Sequence, residues 1–205
     1  LYKDCFEEIP SERLFVVEAT EKNKVVDTAL DICEKITEIP AKRNATLISI
    51  GGGIIQDITG FVANVTYRGI NWIFVPTTLL AACDSCIGGK TSLNYKKYKN
   101  LLGTFYPPDE IHICSEMFHT LTERDFKSGL GEVIKFNIMA RPKSKNLTIF
   151  EKLQKKESID YSEYTYKQLG EAIEEIFNKY VEERDRKVSL KDLENVKKLC
   201  DKLGE

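Results

Sequence analysis

The chain has 205 residues, enough for one large domain or two small ones. Hydrophobic residues make up 42% and charged residues 30%, the balance of a globular protein with a packed core and a solvated surface. A net charge of −2 gives no general attraction to nucleic acid or to an anionic membrane, and no apolar run approaches the ~20 residues that a bilayer span requires.

The sequence opens at Leu1 rather than Met, without a basic-then-apolar leader. Its six cysteines, Cys5, Cys33, Cys83, Cys86, Cys114 and Cys200, are dispersed, which predicts free thiols in a reducing, cytoplasmic setting. Cys83 and Cys86 have C-x-x-C spacing, but a zinc ribbon needs a second such pair and there is none. Small side chains in a tight loop account for them.

Residues 13–19 read as a strand. Residues 24–38 carry Val25, Val26, Ala29, Leu30, Cys33 and Ile36 as a helical stripe, and Pro40 stops it. A second strand spans 46–50 and runs directly into Gly51-Gly52-Gly53, from which a helix is predicted over 54–67. Residues 72–75 form another strand ended by Pro76, a short helix follows over 78–82, and 111–114 form the last short strand. Strands alternating with helices predict an α/β nucleotide-binding domain over 1–121 with a parallel, Rossmann-like sheet. Beyond about residue 122 no strand-like run appears. A polar linker over 141–165 and an amphipathic helix over 166–184 predict an all-helical C-terminal domain over 122–205.

Glycines after a strand let the chain turn tightly and let a phosphate approach backbone N–H groups, and the following helix adds its positive end. The G-x-G-x-x-G fingerprint is not met, because Gln56 holds the last glycine position. Gly88-Gly89-Lys90-Thr91 suggests a P-loop, but the glycine that motif requires earlier is Asp84, whose charge would repel phosphate. An ATPase or GTPase is excluded on that ground.

Taken in order, the motifs resemble the 3-dehydroquinate synthase family of sugar-phosphate cyclases over residues 45–139. They are Gly51-Gly52-Gly53 with Asp57 and Gly60-Phe61-Val62-Ala63, then Tyr67-Arg68-Gly69-Ile70, then Pro76-Thr77-Thr78-Leu79-Leu80-Ala81. Asp84-Ser85, Gly88-Gly89-Lys90-Thr91, Lys99-Asn100-Leu101-Leu102-Gly103, Thr120-Leu121 and Ser128-Gly129-Leu130 with Glu132-Val133-Ile134-Lys135 complete the run. The resemblance implies a lyase that cyclises a seven-carbon phosphorylated sugar acid, 3-deoxy-arabino-heptulosonate 7-phosphate, to 3-dehydroquinate with elimination of phosphate. It implies catalytic NAD, oxidising a ring hydroxyl and later returning the hydride, a divalent metal (zinc or cobalt), and a homodimer.

By the same resemblance Gly51, Gly52 and Gly53 hold the pyrophosphate. Asp57, Thr77, Thr78, Lys99 and Thr120 serve the cofactor, and Glu21 and Lys24 its adenosine end. Lys90 and Lys135 are the substrate cations, Asp84 and Asn100 bind the substrate, and Arg68 reaches the neighbouring subunit's site. Glu132 is a metal ligand. Without the resemblance, Glu21 and Lys24 read equally as a surface pair, and Glu132 and Lys135 as an ion pair on one helix face.

The family completes its metal site with two histidines in the helical half. Here the histidines are His112 and His119, both before Glu132 and neither at a ligand position. The tail from Asn195 also follows too soon. The expectation is that the given sequence omits internal residues. Other readings are a sister cyclase acting on sedoheptulose 7-phosphate or of the deoxy-inosose type, a non-catalytic NAD-binding remnant, and a metal-dependent polyol dehydrogenase.

Overall fold

The computed structural model describes residues 9–40, 42–140, 187–191, 194–196 and 198. In chain order the elements are α1 (Val26–Glu38), β1 (Thr46–Gly51), α2 (Gly53–Val65), β2 (Asn71–Pro76), a π-helical turn (Ala81–Ser85) and α3 (Cys86–Gly88). Then come β3 (Lys90–Tyr95), β4 (Tyr98–Phe105), β5 (Glu110–Ile113), α4 (Glu123–Ala140) and β6 (Lys187–Leu190).

Four strands pair in the order β1-β2-β5-β6, and every pairing is parallel. Trp72 to Pro76 are all buried, as expected of an inner parallel strand covered on both faces. One core cluster gathers Trp72, Phe74, Leu79, Ile111, Ile113, Phe118, Leu130 and Val133. Another gathers Ala29, Ile36, Ile58, Val62 and Leu93, so α1, α2 and β3 share a second interior. Each large apolar side chain so buried contributes roughly 1.5–3 kcal/mol.

Helix α2 lies between the sheet and an antiparallel hairpin made by β3 and β4. Gly60 makes that position possible: a Cβ there would lie 2.5 Å from Thr91 Cγ2 and 3.1 Å from Trp72. The second turn of α2 is thereby brought against the first residues of β3.

Several expectations are corrected. Residues 14–19 form no strand; a 3-10 turn at Ser11–Arg13 leads into irregular chain that lays Phe15 and Val17 on the second core cluster, leaving Val16 66% exposed. The short helix at 78–82 continues into the π turn and α3. The hairpin over 90–105 was not among the predicted elements. A strand does follow residue 122: β6 pairs with β5 from Glu110↔Lys187 to Ile113↔Leu190. Val196 packs with Val75, Cys114 and Met117, so part of the tail also rests against the sheet. The predicted linker at 141–165 and the predicted helix at 166–184 lie outside the described residues, as do Cys5 and Cys200.

The docking of α4 rests on one glycine. A Cβ on Gly129 would lie 2.6 Å from Leu79 Cβ and 2.7 Å from the Leu80 nitrogen, whereas a Cβ on Gly131 meets nothing within 4 Å. Gly129→Ala is expected to destabilise by about 1–3 kcal/mol through overpacking. Gly131→Ala, two residues along the same helix, is expected to stabilise by up to about 1 kcal/mol through helix propensity. Urea midpoints of the two variants check the pair; equal shifts would show that α4 does not press on Leu79.

Candidate nucleotide and anion site

The glycine turn lies where the neighbouring strands β1 and β2 end side by side. Gly51 closes β1, and its carbonyl accepts the Thr77 N–H at 2.9 Å. Gly52 precedes α2 in an extended conformation, and neither a side-chain cap nor an acidic residue occupies the first helical turn. The first-turn N–H groups of this 13-residue helix therefore have no side-chain acceptor of their own. A Cβ on Gly52 would lie 3.2 Å from Thr78 Cγ2, and one on Gly53 3.7 Å from Ser85 Oγ. The turn thus faces Thr78 and Ser85 with bare backbone, a surface that fits a phosphate.

Beside it lies a polar network built from three parts of the chain. Lys24 is 6% exposed and its ammonium pairs with Asp57 Oδ2. Lys24 Nζ also donates to Asn100 Oδ1 at 2.8 Å. Asp57 accepts from the Ser92 N–H through Oδ1 at 3.0 Å and from Ser92 Oγ through Oδ2 at 3.1 Å. Ser92 Oγ lies 3.0 Å from Asn100 Oδ1 as well, so its single proton serves two acceptors. Asn94 Oδ1 accepts the Asn100 N–H at 2.9 Å, holding Asn100 at a φ of 54°. Asn94 Nδ2 donates to Glu21 Oε2 at 2.8 Å, and Lys99 Nζ lies 3.7 Å from the same oxygen.

These contacts set the charges. Burial pushes the Asp57 carboxyl up, against the opposing pull of the Lys24 ammonium and the Ser92 donors. The Asn94 amide, helped by Lys99 and Lys24, holds the Glu21 carboxyl below the usual range.

A second group forms where α4 meets the π turn. Glu132 and Lys135 pair across one helical turn, and the Glu132 carboxylate raises the Lys135 ammonium. Asp84 lies close enough to act on both Cys83 and Lys135. Cys83 Sγ donates to Leu79 O at 2.8 Å, and burial pushes its thiol up to about 12.

The structure therefore brings Glu21, Lys24, Asp57, Lys99 and Asn100 together in one network, and Asp84, Glu132 and Lys135 in another. Lys24 and Asp57 are not the surface groups that their local sequence allows. Lys90 is exposed at the start of β3. Thr78 Oγ1 accepts the Ala81 N–H and Thr120 Oγ1 donates to Met117 O, both at 3.1 Å. Arg68 stands apart, exposed at a φ of 64°, with no hydrogen bond or ion pair among the described residues. His112 is buried in β5 with Nε2 3.1 Å from Glu110, and His119 is exposed. Among the described residues no group of three potential ligands could hold a metal, so Glu132 does not complete a site from them. Ser92 and Asn94 were not singled out in the sequence; the polar period of two over Lys90, Ser92 and Asn94 is the signal that could have found them.

The 3-dehydroquinate synthase N-terminal family matches residues 14–128. The chain belongs to the 3-dehydroquinate synthase family. It is 39% identical over 190 residues to a 3-dehydroquinate synthase of Dictyoglomus turgidum, covering 92% of this chain and 52% of that one. With the Clostridium tetani 3-dehydroquinate synthase it shares 43% over 142 residues, 68% of this chain and 38% of the other. The chain spans about half the length of the curated relatives it matches. Among solved structures, 2-deoxy-scyllo-inosose synthase complexed with carbaglucose-6-phosphate, NAD+ and Co2+ gives a TM-score of 0.69 at 28% identity, over 78% of this chain and 43% of that one. ValA, the 2-epi-5-epi-valiolone synthase of Streptomyces hygroscopicus with NAD+ and Zn2+, gives 0.63 at 27%, over 82% and 44%. The parallel sheet and the family are thus those expected from the motifs.

Removing the Lys24 cation leaves a buried carboxylate without its counter-charge. Lys24→Met is expected to cost about 3 kcal/mol at neutral pH. A carboxyl raised above its unfolded value penalises folding fully above its folded pKa, and the penalty fades as pH falls through that pKa. The variant's deficit in denaturation midpoint should accordingly shrink on acidification; a deficit that grows instead would mean that Asp57 is not the group left unpaired.

Cys83 and Cys86 are both buried, and neither is in a disulfide. In mildly alkaline buffer both are expected to resist iodoacetamide in the folded protein and to react after unfolding, read by mass spectrometry of the Cys83–Cys86 peptide. Rapid labelling of the native chain would contradict the burial of the two thiols.

Proposed function

We propose that this chain carries the NAD-binding and part of the substrate-binding machinery of a 3-dehydroquinate synthase. It would act on 3-deoxy-arabino-heptulosonate 7-phosphate to give 3-dehydroquinate and phosphate, a carbon–oxygen lyase reaction. The observation that carries the proposal is the network of Glu21, Lys24, Asp57, Ser92, Asn94 and Asn100 beside an uncapped glycine turn. Similarity near 40% to named 3-dehydroquinate synthases supports the substrate.

Bound NAD supplies reversible hydride transfer, which acidifies the carbon beside the phosphate ester. Gly51, Gly52 and Gly53 fit its pyrophosphate through backbone N–H groups and the positive end of α2. Asp57 suits a ribose hydroxyl, because a half-buried carboxylate aligned by Ser92 is a fixed acceptor. Thr77, Thr78, Lys99 and Thr120 line the cofactor in this reading, with Glu21 and Lys24 behind them. Lys90 and Lys135 hold the substrate's anionic groups, Asp84 and Asn100 its hydroxyls, and Arg68 the site of a second copy in a homodimer. Glu132 would supply one ligand of a divalent metal, whose site the described residues do not complete. The division at residue 121 and a cytoplasmic setting belong to the same reading. No helix among the described residues is long and apolar enough to cross a membrane.

A sister cyclisation, of sedoheptulose 7-phosphate or of the deoxy-inosose type, is the second reading. It is supported by the fold's likeness to 2-deoxy-scyllo-inosose synthase and to ValA.

Purified protein supplied with NAD+, Zn2+ or Co2+ and each sugar phosphate tests the readings by product analysis. The expected result is 3-dehydroquinate and phosphate without net NADH. Asp57→Ala should weaken NAD+ binding by about tenfold, as loss of a charged hydrogen bond does. A carbocycle from sedoheptulose 7-phosphate alone would favour the second reading. Net NADH would mark a polyol dehydrogenase, and NAD+ binding with no turnover a non-catalytic nucleotide-binding chain.

A further inference from the structure

Gln56 stands where a dinucleotide fingerprint has glycine. Its side chain is fully buried at the end of the first turn of α2. Nε2 donates to Ser85 O at 3.1 Å and to Lys90 O at 3.2 Å. Both partners are carbonyls, so the amide nitrogen must face them, and both of its protons are used.

Those carbonyls belong to different halves of the site. Ser85 closes the π turn beside Asp84, and Lys90 opens β3 on the way to Ser92 and Asn100. The next residue, Asp57, takes the Ser92 N–H and hydroxyl. Residues 56 and 57 together therefore hold β3 from the Lys90 carbonyl to the Ser92 N–H, and Gln56 alone also reaches the π turn. The Lys90 ammonium makes no hydrogen bond or ion pair among the described residues. Its place is set through the backbone that Gln56 grips.

We propose that Gln56 is a positioning residue that sets Lys90 against Asp84 and so tunes the site's affinity for the phosphate group of its substrate. The inference rests on the reading of Lys90 as a substrate cation. A glycine at this position would leave the π turn and the hairpin without their shared tether. A glutamate would turn a carboxylate oxygen toward a carbonyl, exchanging a donor for repulsion.

The test uses the full chain and two probes, inorganic phosphate and NAD+, titrated separately by calorimetry. Gln56→Met keeps the length and apolar volume but removes both donors. Gln56→Asn keeps an amide too short to span both carbonyls. Lys90→Ala is the reference for loss of the cation, and thermal melts confirm that each variant is folded. Gln56→Met is expected to weaken phosphate at least roughly tenfold while NAD+ stays within about twofold, with Gln56→Asn between. A merely structural amide would shift the melt and leave the ratio of the two affinities alone. Phosphate binding that Lys90→Ala abolishes and both Gln56 variants retain would overturn the inference and leave the proposed function standing. Equal loss of phosphate and NAD+ in both Gln56 variants would also overturn it. Phosphate binding that is absent in the wild type, or unchanged in Lys90→Ala, would overturn both.

Discussion

The arrangement of the site depends on one buried ion pair. A lysine ammonium taken out of water is costly unless an opposite charge and hydrogen-bond acceptors meet it. Lys24 meets that condition with the Asp57 carboxylate and the Asn100 side-chain oxygen. Those partners come from α2 and from β4, so the segment before α1, the helix after the glycine turn and the hairpin must be close together for the charge to be tolerated. Lys24 contributes its backbone too, because its carbonyl accepts the Asn94 N–H at 2.7 Å, and Val25 bridges Asn94 in parallel. An ammonium that would otherwise be a surface charge thus specifies which elements stand beside the glycine turn.

The parts of the fold that could be read from the sequence are those whose signal is local. Trp72 to Val75 are apolar on both faces because the strand is covered on both sides, and α1 shows its stripe because one face meets the core. The hairpin gives no such signal. Tyr98, Leu101, Leu102 and Phe105 in β4 are exposed rather than alternating with buried neighbours, and the turn is Tyr95-Lys96-Lys97-Tyr98, with Lys96 at a φ of 54° where glycine or asparagine is usual. Residues 13–19 mislead in the opposite sense: their alternation is real, but it packs Phe15 and Val17 on the core shared by α1, α2 and β3 without pairing them to a strand. β6 depends wholly on the free edge of β5, which four residues of mixed character cannot announce.

The candidate site divides along the same line. The glycine turn is visible in sequence because its chemistry is in the backbone. The tertiary partners of Asp57 are not, since Ser92 lies 35 residues away and only the folded hairpin turns it toward α2. Gln56 reads as a departure from a fingerprint, yet its position between two carbonyls gives it a geometric role that glycine could not fill. Glu132 and Lys135 lie at the opposite extreme: their spacing predicts the ion pair, and the ion pair is what forms.

The distribution of neutralised charge distinguishes Lys90 from the other candidate lysines. Lys24 is matched by Asp57, Lys99 lies 3.7 Å from Glu21, and Lys135 is paired with Glu132. An anion approaching any of these must compete with a carboxylate already in place. Lys90 has no such competitor among the described residues, and its strand is held by Gln56 and Asp57 through main-chain groups that leave the ammonium exposed. An exposed cation on a fixed backbone meets an incoming phosphate without first giving up an internal partner. In the proposed function an incoming phosphate would therefore engage Lys90 before the paired lysines, at a strand end that the Gln56 amide ties to the π turn through the Lys90 and Ser85 carbonyls.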